Sequence, residues 1–214
     1  MQRTIRPELL DSLPPQHPDA IHNRRDLRVT NGVMGNHRWF ERALPPLLRS
    51  GERALELGAG TGELGARLAR RGLQVDGLDL WPRPTEWPAG RRWHQADLLA
   101  FDAFDDYHAI VGNLIFHQFT APELADLGAR LRSPVRVIVA CEPVRRRFSQ
   151  FLYRLFGPAL GVNRVSLHDA HVSIAAGFQD DELAVELGLD PRRWNVRVDV
   201  TLLGAYRLIA VREK

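Results

Sequence analysis

The spacing of apolar positions alternates along the chain between a period typical of strands and one typical of helices. Five short, mostly apolar runs predict strands at Arg53–Leu57, Gln74–Leu80, Arg91–Ala96, Tyr107–Asn113 and Val135–Cys141. Between them, helical spacing predicts helices at Glu63–Arg71 and Pro122–Leu131. Trp194–Leu203 and Ala205–Val211 alternate apolar and polar side chains, as an antiparallel pair does. Strands separated by helices predict an α/β three-layer sandwich, with a mostly parallel seven-stranded sheet and the antiparallel pair at its edge.

The first 50 residues have a different pattern. Residues 1–20 predict an extended arm because they carry four prolines, at Pro7, Pro14, Pro15 and Pro18. Helical spacing over residues 21–48, interrupted near Asn31-Gly32 and Gly35-Asn36, predicts helices outside the sheet. We therefore expect an N-terminal arm and helical cap over residues 1–50 and one domain over residues 51–214. Residues 31–36 are also candidates to fold over a ligand of that domain, since caps exclude water.

A glycine-rich turn follows the first predicted strand. The strand ends at Leu57 and runs into Gly58-Ala59-Gly60-Thr61-Gly62, after which a helix begins. Glycines let the backbone turn sharply and let a ligand approach it closely. The start of the helix offers free N–H groups to that ligand. On these grounds the turn would serve NAD, FAD or S-adenosyl-L-methionine equally well.

Two acids beside the turn separate these cofactors. A dinucleotide site requires Gly-x-Gly-x-x-Gly from the end of the strand, but counting from Gly58 the sixth position is Glu63. Counting from Gly60, the motif is matched by Gly60, Gly62 and Gly65. This match starts too late, however, because the turn must begin where the strand ends, at Leu57-Gly58. The Glu63 carboxylate would also repel a pyrophosphate. S-adenosyl-L-methionine carries a sulfonium and an ammonium instead, and Glu56 before the turn suits such charges.

Two further carboxylates follow the next two predicted strands. Asp79 ends the second strand, 17 positions after Gly62 (79 − 62), close to the spacing at which an acid binds ribose hydroxyls. Asp97-Leu98 follows the third strand, where a carboxylate can accept from the amine of adenine. Each acid alone is an ordinary surface residue, but together they mark three successive strand ends.

Residues 55–62 (LELGAGTG) resemble the first motif of class I S-adenosylmethionine-dependent methyltransferases. Asp79, Asp97 and residues 109–114 are similar to the later motifs of that family in order and spacing. The resemblance covers about residues 50–142 and implies a Rossmann-like fold and S-adenosyl-L-methionine as the cofactor. It implies that the cofactor-binding residues are Glu56, Gly58, Ala59, Gly60, Gly62, Asp79, Leu80, Asp97, Leu98, Asn113 and Leu114.

Histidines in two places are candidates for catalysis. His117 follows the fourth strand in a run, Asn-Leu-x-x-His-x-Phe, that is similar to small-molecule methyltransferases of the ubiquinone and menaquinone type. It is a candidate base or substrate contact, because a neutral imidazole accepts protons near pH 7; the alternative is that it packs or caps a helix. His168 and Asp169 form the second candidate, since a carboxylate orients an imidazole; the alternative is a surface turn.

The acceptor implied by these residues is a small, apolar or aromatic molecule methylated on oxygen or carbon. The Asn-Pro-Pro-Tyr segment of enzymes that methylate amino groups of DNA or protein glutamine is absent. A methyltransferase acting on RNA or protein and a non-catalytic S-adenosyl-L-methionine-binding module remain alternatives. One face of a predicted helix carries Phe148, Phe151, Leu152, Leu155 and Phe156. This pattern predicts a helix packed in the core, a lid over an apolar substrate, or a contact with a membrane surface.

The amino-acid composition limits the compartments, partners and metal sites that we expect. The single cysteine, Cys141, excludes an intrachain disulfide and a cysteine zinc site, and fits a reducing cytoplasm. No apolar run is long enough for a transmembrane segment, and the N-terminus lacks the pattern of a secretory signal. The net charge is +3, and the arginines are spread in short clusters, so a nucleic-acid partner is not expected. We also predict no metal site, because a site in the segment of residues 168–171 would lack a third clear ligand. The oligomeric state stays open.

Overall fold

A computed structural model describes residues 1–14, 16–131, 134–158 and 161–213. Pro15, one of the prolines of the predicted arm, lies outside the described residues. The helices are α1 (Pro18–Met34), α2 (Asn36–Ala43), α3 (Glu63–Arg70), α4 (Ala121–Arg130), α5 (Arg147–Phe156), α6 (Arg164–Ala176) and α7 (Glu182–Glu186). The strands are β1 (Arg53–Leu57), β2 (Gln74–Asp79), β3 (Trp93–Gln95), β4 (Ala109–Asn113), β5 (Val137–Pro143), β6 (Trp194–Val200) and β7 (Ala205–Arg212).

The strands form one seven-stranded sheet in the order β3-β2-β1-β4-β5-β7-β6. Strands β1 to β5 are parallel, and β7 pairs antiparallel with both β5 and β6. This confirms the predicted α/β sandwich with its C-terminal antiparallel pair. The strand order reverses between β1 and β4, so a crevice forms outside their carboxyl ends, where ligands of open α/β sheets bind.

Two apolar layers cover the two faces of the sheet. Successive side chains of a strand point to opposite faces, so Leu55 and Leu57 of β1 belong to one layer and Ala54 to the other. All seven residues of β5 are buried, as expected of a strand in the middle of the sheet. The sheet is therefore rigid at its centre, and its carboxyl edge is a fixed platform for the site.

The predicted helix break near Asn31-Gly32 is wrong. Helix α1 continues to Met34, and the break comes only at Gly35, whose φ of 65° is left-handed. Glycine within a helix costs about 1 kcal/mol relative to alanine. Here Asn31 is buried, and its Oδ1 accepts hydrogen bonds from the side chains of Asn36 and Asn113. These hydrogen bonds between separate parts of the chain thus offset the low helix propensity of Gly32.

Two of the alternatives considered for the chain that follows β5 are also wrong. Helix α5 has no buried residue, so the interpretation of residues 148–156 as core is wrong. The surface turn considered for His168 and Asp169 is the middle of α6. Within the part of the chain that the structure describes, no helix is both long and apolar enough to cross a membrane.

Candidate functional site

The glycine turn between β1 and α3 adopts a left-handed backbone that its three glycines allow. Gly58, Gly60 and Gly62 have φ values of 59°, 53° and 75°, which L side chains rarely adopt. A Cβ atom on Gly58 would lie 2.6 Å from Cδ1 of Ile115, while one on Gly60 would meet nothing closer than 3.9 Å. The turn is thus packed against the loop after β4 at Gly58 and open at Gly60, where a ligand can approach the backbone.

Asp79, at the end of β2, holds this turn. One carboxylate oxygen accepts a hydrogen bond from the Gly60 N–H (2.7 Å), and the other accepts from the Trp81 N–H (2.8 Å). Each oxygen keeps a lone pair for a further donor such as a hydroxyl group. The neighbouring Leu80 side chain is 66% exposed beside this edge. The carboxylate predicted to bind ribose is therefore also a structural part of the glycine turn.

The third strand end is less enclosed. Asp97 is exposed, and its Oδ1 accepts from the N–H of Leu99 (2.9 Å), which leaves its other oxygen available. The Leu98 side chain is instead buried in the core. A ligand contact at position 98 would therefore have to come from the backbone, whereas Asp97 presents its side chain to the solvent.

Glu56 is an unusual group at this edge of the sheet, because its carboxyl is buried and only partly hydrogen-bonded. Its side chain is buried at the end of β1, and its Oε2 accepts no hydrogen bond from the described residues. Burial raises the pKa of this carboxyl to about 8; the Gly65 N–H offsets part of the rise, and the charge of Asp79 adds to it. A buried acceptor without a donor is costly, so Glu56 fits a ligand that brings an ammonium or N–H group.

A second set of unpaired acceptors lies at the end of β4. The Asn113 amide donates to Oδ1 of Asn31 (3.1 Å), which ties α1 to the sheet edge. The Oδ1 atoms of Asn113 and Asn36 are buried and have no partner among the described residues. Residues 31–36 thus contact a predicted cofactor residue directly, and the buried acceptors match the ammonium group of the predicted cofactor. The residues present therefore fit S-adenosyl-L-methionine.

The loop after β4 is held by a carboxylate that the sequence analysis missed. Leu114 has a φ of 60°, an uncommon value for a residue with a side chain. Glu142 of β5 is fully buried and accepts hydrogen bonds from the backbone N–H groups of Ile115 and Phe116, both at 3.0 Å. Its other oxygen accepts from the His117 N–H (3.3 Å). Glu142 therefore fixes the turn that places Ile115 against Gly58.

His117 is buried between two carboxylates. Its Nδ1 lies 2.6 Å from Glu142 and its Nε2 lies 3.4 Å from Glu8 of the N-terminal arm. Burial alone would lower the pKa of His117, but the hydrogen bonds to Glu142 and Glu8 raise it to about 9. A pKa raised in this way favours the doubly protonated imidazolium near pH 7, and an imidazolium is a poor proton acceptor. This arrangement favours a positioning role for His117 over the predicted role as a general base.

We expect His117 to be doubly protonated at pH 7.5 and to lose its proton only near pH 9. The check is a long-range ¹⁵N–¹H spectrum of ¹⁵N-histidine-labelled protein over pH 6–10, with His117→Gln to assign the signal. Because the folded pKa lies above the ordinary value of 6.5, the ion pairs stabilise the fold fully below pH 6.5, and this stabilisation is lost as the pH rises through about 9. A His117 signal that titrates near 6.5 would contradict the buried ion pairs.

The arm of residues 1–13 closes over this end of the sheet. Thr4 N–H donates to the Ala175 carbonyl (3.1 Å), and Glu8 also accepts from the Ser173 hydroxyl of α6. Between the arm and α6 lies a cavity of about 210 Å³. Its lining consists of residues 5–8 of the arm, His117, Gln118, and Val172, Ser173 and Ala176 of α6. The His117–Glu8 pair therefore forms part of a cavity wall.

His168 and Asp169 do contact each other, with His168 Nδ1 3.2 Å from Asp169 Oδ1. Asp169 is buried and accepts from the backbone N–H groups of Leu9 (2.7 Å) and Leu10 (3.2 Å) and from the Asn23 amide (3.2 Å). These bonds anchor the arm and α1 to α6. The geometry thus gives Asp169 a structural role, and its catalytic role stays a prediction.

Glu142 and Glu8 are the two site residues that the sequence analysis overlooked. Glu142 follows the apolar run of β5, so the strand-end rule that singled out Asp79 and Asp97 also applies to it. Glu8 gives no such signal, because it belongs to the arm and lies 109 positions from His117. Among the described residues, no group of three or more His, Cys, Asp or Glu side chains is placed to hold a metal ion.

Comparisons with known proteins identify the fold. No protein-family model and no curated protein matches this chain. The chain is similar to the solved structure of the plantazolicin methyltransferase BpumL in complex with SAH (S-adenosyl-L-homocysteine), with a TM-score of 0.70 and 10% identity over 93% of this chain and 92% of that chain. For human N-acetylserotonin methyltransferase in complex with SAM, the TM-score is 0.61 and the identity 12% over 95% of this chain and 61% of that one.

A third similar structure is the N-methyltransferase NodS from Bradyrhizobium japonicum in complex with SAH. Its TM-score is 0.53, and its identity is 15% over 84% of this chain and 86% of that chain. Likenesses at such low identity establish a shared fold. The seven-stranded order and the terminal antiparallel pair are those of the class I methyltransferase fold, a Rossmann-like architecture.

Proposed function

We propose that this protein transfers a methyl group from S-adenosyl-L-methionine to an oxygen or carbon atom of a small, apolar or aromatic acceptor. One observation carries the proposal. Where the strand order reverses, a left-handed glycine turn, the Asp79 carboxylate that holds it and a buried Glu56 lie at the ends of the neighbouring strands β1 and β2, and Glu56 Oε2 has no partner among the described residues. The similar structures of known methyltransferases support it through the fold alone.

Each residue of the crevice has a role in this proposal. The Gly58–Gly62 turn exposes its backbone to the ligand, and the remaining lone pairs of Asp79 accept from ribose hydroxyls. Glu56 and the Asn113 amide oxygen offer acceptors to the ammonium end, and Asp97 offers one to the adenine amine. When bound, S-adenosyl-L-methionine supplies a methyl group that its sulfonium already activates. The protein is then required mainly to orient the acceptor and to exclude water.

The cavity beside His117 is our candidate for the acceptor site. Its wall includes His117 and Gln118 of the loop that follows β4, together with residues of the arm and of α6. Its wall combines apolar groups (Ile5, Val172) with a few polar ones (Glu8, Ser173), as small-molecule sites usually do. His117, held as an imidazolium by Glu142 and Glu8, fixes the shape of this wall and does not need to accept a proton.

Several arginines of the short clusters in the sequence are paired within the protein. Arg71 contacts Glu41 (3.4 Å), Arg92 contacts Asp106, and Arg145 is buried against Glu182. Pairing of this kind reduces the positive field that an RNA partner would need. It supports a small molecule as the acceptor.

Replacing Asp79 with alanine is expected to weaken SAH binding by roughly 1–3 kcal/mol, because ribose hydroxyls and the Gly60 N–H lose their acceptor. Isothermal titration calorimetry measures the affinity. The matched control is Asp102→Ala, which removes an exposed carboxylate outside the crevice and should leave the affinity unchanged. Unchanged affinity in Asp79→Ala would show that the ribose assignment is wrong. Wild-type protein that ignores SAH but binds NAD or FAD would end the proposed function.

A further inference from the structure

Helix α5 presents an apolar stripe to the solvent. Between 55% and 65% of the surface of each of four large side chains is exposed, namely Phe148, Phe151, Leu155 and Phe156. The other side chains of the helix are polar or partly covered. The opposite side faces α6, where the Gln150 amide donates to the His171 carbonyl (3.0 Å). Exposed apolar patches of several large side chains mark binding surfaces more often than isolated ones do.

The stripe continues onto a neighbouring turn. Leu202 is fully exposed and Leu203 is 58% exposed in the turn between β6 and β7. A Cβ atom on Gly204 would lie 3.0 Å from the hydroxyl of Ser149, so this turn lies beside the first turn of α5. We call Phe148, Phe151, Leu155, Phe156, Leu202 and Leu203 the α5 surface.

Positive charge flanks the α5 surface without any acid of the same segment. Arg146, Arg147 and Arg154 are exposed on or just before α5, whereas Arg145 is buried and paired with Glu182. The sequence contains no Asp or Glu between Pro143 and His168. On a helical wheel, Arg147 and Arg154 lie next to the face that carries Phe151 and Leu155. An apolar face bordered by arginines is typical of helices that lie in a membrane interface.

We propose that the α5 surface docks the protein onto an anionic lipid membrane. The phenylalanine and leucine side chains enter the boundary between headgroups and acyl chains, and the three arginines contact lipid phosphates. A second copy of the chain fits this surface less well. Helix α5 against helix α5 would bring arginines together with no carboxylate of the segment to pair with them. The proposal concerns membrane binding alone and does not depend on methyl transfer.

Sedimentation with phospholipid vesicles tests this proposal. The full chain is expected to bind vesicles containing phosphatidylglycerol at least ~10-fold more strongly than pure phosphatidylcholine vesicles, since each basic residue near an anionic surface contributes about five-fold. Raising the salt from about 0.05 to 0.5 M should weaken this binding, because the charges are screened. Equal binding to both lipids, or none to either, would overturn the proposal.

Two variants separate the apolar and charged contributions. Phe148→Ser/Phe151→Ser/Leu155→Ser should lose at least ~10-fold in vesicle binding, because the apolar face provides the insertion. Arg146→Gln/Arg147→Gln/Arg154→Gln should lose the preference for phosphatidylglycerol. The matched control, Ile21→Ser/Val33→Ser/Val185→Ser, removes equally exposed apolar side chains elsewhere and should bind as the wild type does.

Circular dichroism melts of all three variants verify that they are folded, which their exposed positions favour. Light scattering in the absence of lipid tests the competing occupant. A dimer that the Phe148→Ser/Phe151→Ser/Leu155→Ser variant dissociates would assign the α5 surface to a second copy and overturn the membrane proposal. A monomer that binds anionic vesicles through the same side chains supports it.

Discussion

Replacing Glu142 with alanine is expected to lower the free energy of unfolding by roughly 3–5 kcal/mol and to abolish SAH binding. The substitution leaves the buried imidazolium of His117 without its nearer carboxylate and removes the acceptor of the Ile115 and Phe116 N–H groups. Binding is lost because this turn places Ile115 against Gly58. Urea denaturation at pH 7 measures the stability, and calorimetry measures the affinity for SAH.

A double-mutant cycle with His117→Ala separates the ion pair from the backbone contacts. The double variant should lose less stability than the sum of the single variants, because His117 then leaves no unpaired charge. Glu142→Gln keeps an oxygen for the Ile115 and Phe116 N–H groups and should be intermediate. Glu86→Ala, at an exposed position, should change stability by at most about 0.5 kcal/mol. A loss below about 1 kcal/mol in Glu142→Ala would mean that the turn is held by packing alone.

The elements of the sheet could be predicted from sequence because each has a local cause. Strand β1 ends where predicted, at Leu57, since the left-handed Gly58 cannot continue a strand. Strand β6 ends earlier than predicted, at Val200. The Thr201 N–H donates to the Ala205 carbonyl there, and the chain turns at Gly204. Leu202 and Leu203 continue the apolar pattern beyond Val200, so the predicted strand was too long. In the structure both residues belong to an exposed turn.

The polar contacts of the site could not be predicted in the same way. Asp79 was identifiable because a parallel strand delivers its last residue to a fixed edge. The contacts of Glu8 with His117 and of Asn31 with Asn113 join residues 109 and 82 positions apart. Such pairs leave no period in the sequence, since they depend on where the arm and α1 pack. The raised pKa of His117 depends on its contacts with Glu142 and Glu8, so the sequence alone left a base, a substrate contact and a packing residue as alternatives.

Glu56 should make the folded protein less stable as the pH rises from about 4.5 to 8. The pKa of its carboxyl is raised from 4.5 to about 8 by burial. Between these values the folded protein keeps a proton that the unfolded chain has released, so stability falls with rising pH and levels off above 8. Glu56→Gln removes this slope and should be more stable than the wild type by roughly 2–5 kcal/mol at pH 9. Urea denaturation of both proteins over pH 5–9 measures the difference.

The same carboxyl should couple cofactor binding to proton release. A bound ammonium favours the ionised form of Glu56, so wild-type protein should release a proton at pH 7 and bind S-adenosyl-L-methionine more tightly as the pH approaches 8. Calorimetry in buffers of different ionisation enthalpy counts that proton. Glu56→Gln should bind more weakly and release none, whereas Glu63→Gln, whose carboxyl is partly exposed near Arg28, should behave as the wild type. If wild type and Glu56→Gln had the same pH dependence, the buried carboxyl would not face the cationic end of the ligand, because only a nearby cation can draw the proton from it.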